Sequence, residues 1–151
     1  QDATVLLAMN DLAFTLEARG RLKEASEMCA SAVELCKIEK GEHHTDTLTC
    51  MNNLAYLLDK GGFADQAEEL ARKVLAGREA SLGDDHPDTH TAVYNLAELL
   101  EARGRLDEAE RLFQREHAWC KKTHGPRHAS TRDSSSNLAR FRKTHRRRSS
   151  D

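Results

Sequence analysis

The chain has 151 residues, of which 38% are hydrophobic, 32% are charged and only 5% are aromatic. This composition favours helices joined by thin interfaces over a thick globular core, and the length suffices for one ordinary domain. No apolar run reaches about 18 residues and no signal-peptide pattern opens the chain, so we expect a cytoplasmic protein without a membrane span. The first residue is Gln1 rather than methionine, which suggests a fragment or a processed chain.

Apolar residues at three- and four-residue steps predict seven helices, at about 3–18, 22–39, 45–60, 64–81, 87–102, 106–122 and 129–144. The segment 45–82 shows the pattern of each unit. Its first apolar stripe includes Leu48 and Met51, and Gly61 and Gly62 then end the helix because glycine tolerates a left-handed turn. A second stripe follows, so each unit is expected to be two antiparallel helices joined by a tight turn.

The triplet Asn-Leu-Ala at 53–55 recurs at 95–97 and 137–139, with Asp-Leu-Ala at 11–13, and the spacing is 42 residues each time. Turn glycines, loop histidines and small residues keep the same register: Gly20, Gly62 and Gly104; His44, His86 and His128; Ala25, Ala67 and Ala109; Ala13, Ala55, Ala97 and Ala139. We expect the histidines to cap or pack, and the alanines to let helices approach closely. A fixed period of this length predicts stacked helical units, which offer an extended binding surface and no enclosed pocket.

The basic end of the chain contrasts with its acidic body. Residues 1–126 carry 15 Lys and Arg against 23 Asp and Glu, whereas residues 127–151 carry 8 against 2. The run at 140–148 could contact phosphates or an acidic partner, and Arg146–Ser150 resembles a basophilic-kinase substrate. A solvated, fraying end is the simpler interpretation, so nucleic acid is not expected as the main partner.

Three motifs in the third unit carry a family resemblance. Gly-Asp-Asp-His-Pro-Asp-Thr at 83–89, Tyr-Asn-Leu-Ala-Glu-Leu-Leu at 94–100 and Gly-Arg-Leu-Asp-Glu-Ala-Glu at 104–110 resemble the 42-residue tetratricopeptide repeats (TPR) of kinesin light chains and nephrocystin-3. The resemblance covers about residues 3–141. It implies an all-α fold, a right-handed α-α superhelix of three TPR helix pairs at 3–40, 45–82 and 87–123. A terminal helix at 129–144 and a flexible basic tail at 145–151 would follow.

In the resembled fold, the first helices of successive pairs line a concave groove that binds an extended peptide. The alignment predicts nine peptide-binding residues: Asn10, Phe14, Thr49, Asn52, Tyr56, Asp59, Thr91, Tyr94 and Glu98. Asn10 and Asn52 match the asparagine that holds the cargo-peptide backbone in kinesin light chains, since an amide both donates and accepts hydrogen bonds. Phe14 and Tyr56 could instead fill gaps between repeats. The basic carboxylate clamp of chaperone-binding members is not matched.

The predicted lining also carries acidic residues: Glu17, Asp59, Glu98 and Glu101. They would repel acidic peptides and favour basic or apolar ones.

Nothing in the sequence indicates catalysis, a cofactor or a metal. Cys36, His43, His44 and Cys50 match no common zinc spacing, and Cys29 and Cys36 are expected to be small buried residues of one helix face. All four cysteines are expected to be reduced thiols. Trp119 is expected to pack against the terminal helix.

These patterns predict a non-enzymatic scaffold that binds an extended peptide or a partner helix in the TPR groove. One alternative is the cargo-binding segment of a kinesin light chain, which upstream heptads in the parent protein would support. Another is a regulatory TPR array attached to a nucleotide-binding ATPase or other enzyme, which a phosphate-binding loop elsewhere would support. Binding of nucleic acid through 140–148 would instead show a steep loss of affinity with salt.

Overall fold

The computed structural model describes residues 3–146, and every regular element within them is an α-helix. The helices are α1 (Ala3–Ala18), α2 (Leu22–Lys40), α3 (Thr45–Lys60), α4 (Ala64–Leu82), α5 (Pro87–Ala102), α6 (Leu106–His124) and α7 (Ala129–Arg146). Their bounds differ from the sequence expectation by at most two residues, and the all-α prediction is confirmed. None of these helices is long and apolar enough to cross a membrane.

The chain divides after Gly83 into two compact units. In the first unit, α1 packs against α2, α2 against α3 and α3 against α4, and α1 also touches α3. In the second unit, α6 packs against both α5 and α7. Each unit therefore consists of helices that pack on their neighbours in sequence. The finer assignment of repeat units to 3–40, 45–82 and 87–123 stays a prediction.

Small residues lie buried between packed helices. The repeated alanines of the second helices are fully buried, with no exposed surface: Ala25, Ala67 and Ala109. In the first unit, Ala13 and Ala25 share one apolar cluster with Cys29 and Leu57. Ala139 was expected to be a similar contact residue but is exposed, because no second helix follows α7 within residues 3–146.

The loops that join one repeat to the next end one helix with a glycine and begin the following helix with a histidine. Gly83 has φ +86, a left-handed conformation that glycine adopts without steric cost. Three residues later, a histidine caps the following helix. Nδ1 of His44, His86 and His128 accepts a hydrogen bond from the backbone N–H two residues on, at 3.1, 3.0 and 3.2 Å. The recurring histidines therefore act as caps, as expected.

Gly77 permits a close contact between α3 and α4. A Cβ atom at this position would lie 2.6 Å from Cδ2 of Leu48, which is only 1% exposed. We expect Gly77→Val to lower the free energy of unfolding by about 1 to 3 kcal/mol, because the added atoms overfill a packed interface. Urea unfolding measures the loss. The control is Ala80→Val, an exposed site on α4; an equal loss there would show that crowding against Leu48 is not responsible.

The histidine caps should contribute measurably to stability. We expect His86→Ala to cost about 1 kcal/mol, because the N–H of Asp88 loses its acceptor, whereas His86→Asn should cost little since asparagine is a good N-cap. Thermal and urea unfolding of the two variants provide the comparison. Equal losses for alanine and asparagine would contradict a capping role.

Candidate functional site

Six of the predicted binding residues lie in the first unit, on α1 and α3: Asn10, Phe14, Thr49, Asn52, Tyr56 and Asp59. We call this set the α1–α3 surface. Its two aromatic side chains, Phe14 and Tyr56, stand 42 residues apart in the repeat and are 42% and 45% exposed. They are therefore not fully buried core residues. Thr49 and Asp59 are also exposed, and Asn10 and Asn52 are half-buried.

A pocket of about 270 Å³ opens beside these residues, lined by Leu6, Leu7, Asn10, Asp46, Thr49 and Cys50. It brings Asn10 of α1 and Thr49 of α3 to one site. The Asn10 carbonyl oxygen accepts a 3.4 Å hydrogen bond from Nδ2 of Asn53, while its own Nδ2 lies 4.0 Å from Sγ of Cys50. Both contacts are long, so the Asn10 amide is held only weakly by the protein.

Glu17, at the edge of the α1–α3 surface, is not a free acid. It forms an ion pair with Lys60 of α3, and Lys60 Nζ also lies 4.9 Å from the centroid of the Tyr56 ring. The hydrogen bond to Glu17 raises the pKa of Lys60, so its charge is retained. This pair partly neutralises the acidic lining that the sequence suggested, and it holds a cation against one face of Tyr56.

The remaining predicted residues, Thr91, Tyr94 and Glu98, lie on α5 in the second unit. Thr91 is exposed, and its hydroxyl donates to the backbone oxygen of Pro87 at 3.2 Å. The Tyr94 hydroxyl donates to Glu98 at 2.7 Å, and its ring meets Phe113 edge-on with centroids 6.1 Å apart. The hydrogen bond to Glu98 raises the pKa of Tyr94 to about 12. Tyr94 is therefore anchored, unlike the more exposed Phe14 and Tyr56.

Two further acids of the second unit have surroundings that the repeat pattern did not reveal. Arg140 of α7 donates two 3.0 Å hydrogen bonds to Glu101, and His145 lies 2.9 Å from the same carboxylate. Arg140 lowers the pKa of Glu101, with a smaller contribution from His145. Glu116 of α6 has a buried Oε2 without a hydrogen-bond partner, and burial followed by repulsion from Glu98 raises its pKa to about 7.

The basic end of the chain is partly engaged by the protein itself. Besides the Arg140 pair, Arg142 donates to Glu110 of α6 at 2.8 Å, and α7 continues to Arg146. Three side chains in the described part of the run at 140–148, Arg140, Arg142 and His145, therefore contact acids within the second unit. The rest of the expected tail and kinase-like site, at 147–151, lies outside the described residues.

The cysteines and histidines do not form a metal site within the described part of the chain, where no group of three or more potential ligands converges. Cys36 and Cys50 are buried with their sulfur atoms 3.6 Å apart, and burial raises the pKa of Cys36 to about 12. Cys29 and Cys120 are buried as well. Trp119 stacks on His90 of α5 with ring centroids 4.1 Å apart, and its expected packing against α7 stays a prediction.

The fold agrees with comparisons to known proteins. A family model described as tetratricopeptide repeat matches residues 4–80 and 88–146. The chain therefore belongs to the tetratricopeptide repeat family. Among curated proteins, none matches this chain.

Similar solved structures show that the repeats of this chain are of the kinesin light chain-like type. A Podosopora anserina protein described as a kinesin light chain with nearly identical TPR-like repeats is 26% identical, with TM-score 0.85 over 94% of this chain and 67% of that one. A variant of that protein is 27% identical, with TM-score 0.83 over 91% of this chain and 65% of that one. BtubC (BKLC) from P. vanneervenii shares the fold, with 21% identity and TM-score 0.83 over 95% of this chain and 57% of that one. This chain thus spans about two thirds or less of each of these structures.

Glu116 should make the stability of the protein depend on pH. Its raised pKa means that the folded chain binds more protons than the unfolded chain between pH 4.5 and about 7, so stability falls as pH rises through this window. The side chain of Glu116→Gln stays neutral at every pH. We therefore expect the free energy of unfolding of this variant, minus that of the parent, to increase from about pH 5 to about pH 8. Urea unfolding at several pH values measures the difference.

The matched control for this experiment is Asp133→Asn, an exposed acid of α7 in the same unit. If the difference in the free energy of unfolding between Glu116→Gln and the parent is the same at every pH, or changes with pH no more than that of Asp133→Asn, the buried carboxyl does not titrate as described.

Proposed function

We propose that this chain is a non-catalytic protein-interaction scaffold, and that the α1–α3 surface binds an extended peptide. A single observation carries the proposal: Phe14 and Tyr56, in equivalent positions on α1 and α3, expose large aromatic side chains at 42% and 45%. Exposed aromatic side chains that recur on one surface are typical of binding sites, because their burial by a partner removes much apolar area from water. We expect such a scaffold to work in the cytoplasm.

The pocket that contains Asn10 and Thr49 of the α1–α3 surface supports a peptide as the ligand. It is small, at about 270 Å³, and it combines the apolar Leu6 and Leu7 with the amide of Asn10 and the hydroxyl of Thr49. An apolar side chain of a peptide fits such a space, and the Asn10 amide can bond one peptide unit as both donor and acceptor. Asn52, 42 residues later, would do the same on α3.

Few unpaired charges remain on this surface, so we expect ligands that are mainly apolar and that carry some basic side chains. Glu17 is already paired with Lys60, so the exposed Asp59 is left to attract a lysine or arginine of the ligand. The second unit offers Glu98, although its carboxylate already accepts the Tyr94 hydroxyl. Aromatic contacts should therefore set the affinity, and the acids should set the preference among ligands.

A second candidate function is cargo binding within a kinesin light chain. This function is supported by the similarity to the two Podosopora anserina structures, which are 27% and 26% identical over 91% and 94% of this chain. A heptad region upstream in the parent protein would favour this role. A phosphate-binding loop in the parent protein would favour a regulatory array attached to an ATPase.

Panning a random peptide library against the chain tests the proposed binding surface. For each selected peptide, we expect Tyr56→Ala and Phe14→Ala to weaken binding by about tenfold or more, and Asn52→Ala to weaken it less, because aromatic anchors dominate such interfaces. Fluorescence anisotropy with labelled peptides gives the affinities.

The chain offers a matched control for this measurement. Phe63 is 58% exposed but lies in the turn between α3 and α4. Phe63→Ala should leave the affinities unchanged. Peptides that lose affinity with Phe63→Ala but bind Tyr56→Ala and Phe14→Ala as tightly as the parent would place the binding site elsewhere.

A further inference from the structure

One face of α1 carries exposed apolar side chains that the α1–α3 surface does not include. It consists of Val5, Ala8, Leu12 and Thr15, and we call it the outer face of α1. Val5 and Leu12 are 42% and 45% exposed, and Ala8 and Thr15 are exposed as well. Valine and leucine at a seven-residue separation, with a small residue between them, are typical of a helix face that packs against another helix.

The 42-residue register identifies the equivalent face on α3: Thr47, Cys50, Leu54 and Leu57. Here the preceding helix covers the face. The Thr47 hydroxyl donates to the carbonyl of Gly41, at the end of α2, at 2.7 Å, and Cys50 meets Cys36 of α2 at 3.6 Å. Leu57 is fully buried in a cluster with Ala25 and Cys29 of α2.

The same face on α7 has the same kind of cover. Thr131, Ser134, Leu138 and Phe141 are all buried, with at most 8% exposed surface. Thr131 donates to the carbonyl of Gly125, at the end of α6, at 2.7 Å, and Ser134 bonds His117 of α6 at 3.0 Å. Phe141 packs on Phe113 of α6 with centroids 5.5 Å apart. In both units, therefore, this face of the first helix of a repeat packs against the second helix of the preceding repeat.

We propose that the outer face of α1 is a docking surface for the second helix of a further tetratricopeptide hairpin, joined through the same kind of loop as the hairpins within this chain. That helix would present small apolar residues to Val5 and Leu12, as α2 presents Ala25, Cys29 and Cys36 to α3. Neither α2 nor α6 of a second copy can supply it, because each already covers α3 or α7. The Podosopora anserina structures, which this chain spans by only 65% and 67%, are long enough to hold such additional repeats.

An added helix tests this proposal directly. In the extended chain, a second copy of residues 21–44 is joined to Ala3, which places the added helix before α1 as α2 stands before α3. We expect the Tm to rise by about 4 °C or more. Amide exchange across Val5–Thr15 should slow by about tenfold or more, because the outer face becomes covered. An extended chain with the Tm and the exchange rates of the parent would overturn the proposal.

Two controls separate specific docking from a general effect of the added residues. Glutamate in place of the copied Cys29 and Cys36 charges the face of the added helix and should return both the Tm and the exchange rates to those of the parent. Leu12→Glu should do the same from the α1 side. A charged extension that protects α1 as well as the original one does would show that the contact is not the repeat interface.

The oligomeric state of the parent decides between the proposed occupant and a second copy. Sedimentation equilibrium should show a monomer, with no change in Leu12→Glu. A dimer that Leu12→Glu dissociates would show that a second copy covers the outer face, and the proposal would fail. This result is independent of peptide binding, which uses Phe14 and Tyr56 on another face of the helices.

Discussion

A helix with one apolar face is stable in water only where a neighbouring helix covers that face, and this requirement governs the whole chain. The cover is thin, because small residues such as Ala13 and Ala25 bring the helix axes close together. Leu48 against Gly77 shows how little space the interface leaves. Interfaces of this kind need a partner on each side, so the helix at the edge of an array exposes what the inner helices bury. The outer face of α1 is that edge.

The same geometry also creates the α1–α3 surface. Side chains that stay exposed when the helices pack remain available to a ligand. Phe14 and Tyr56 are such side chains at equivalent positions on α1 and α3, and the equivalent position on α5 holds the exposed Glu98. Lys60 and Arg140 reach the acids Glu17 and Glu101 from neighbouring first helices. The first helices of each unit are thus linked by charge, and fewer acids remain for a ligand.

Sequence alone predicted the helices well, because apolar spacing and the glycines Gly62 and Gly83 both depend on local conformation. The register likewise placed Phe14 and Tyr56 at equivalent positions. It could not show that Arg140 and His145 reach Glu101, since those contacts depend on side-chain length across separate helices. It was wrong about Ala139, because burial there needs a helix that the described chain does not supply. It did not show that Trp119 stacks on His90, a contact at the positions that Gly77 and Leu48 hold 42 residues earlier.

The burial of the cysteines has a practical consequence for chemical labelling. Cys29, Cys36, Cys50 and Cys120 are all buried, and burial raises the pKa of the thiols of Cys29, Cys36 and Cys120. A buried, protonated thiol reacts slowly with maleimides and iodoacetamides, because the thiolate is the nucleophile. A single cysteine introduced at an exposed position would therefore be modified selectively in the folded chain. Fluorophores or spin labels can be attached without first removing the four native thiols.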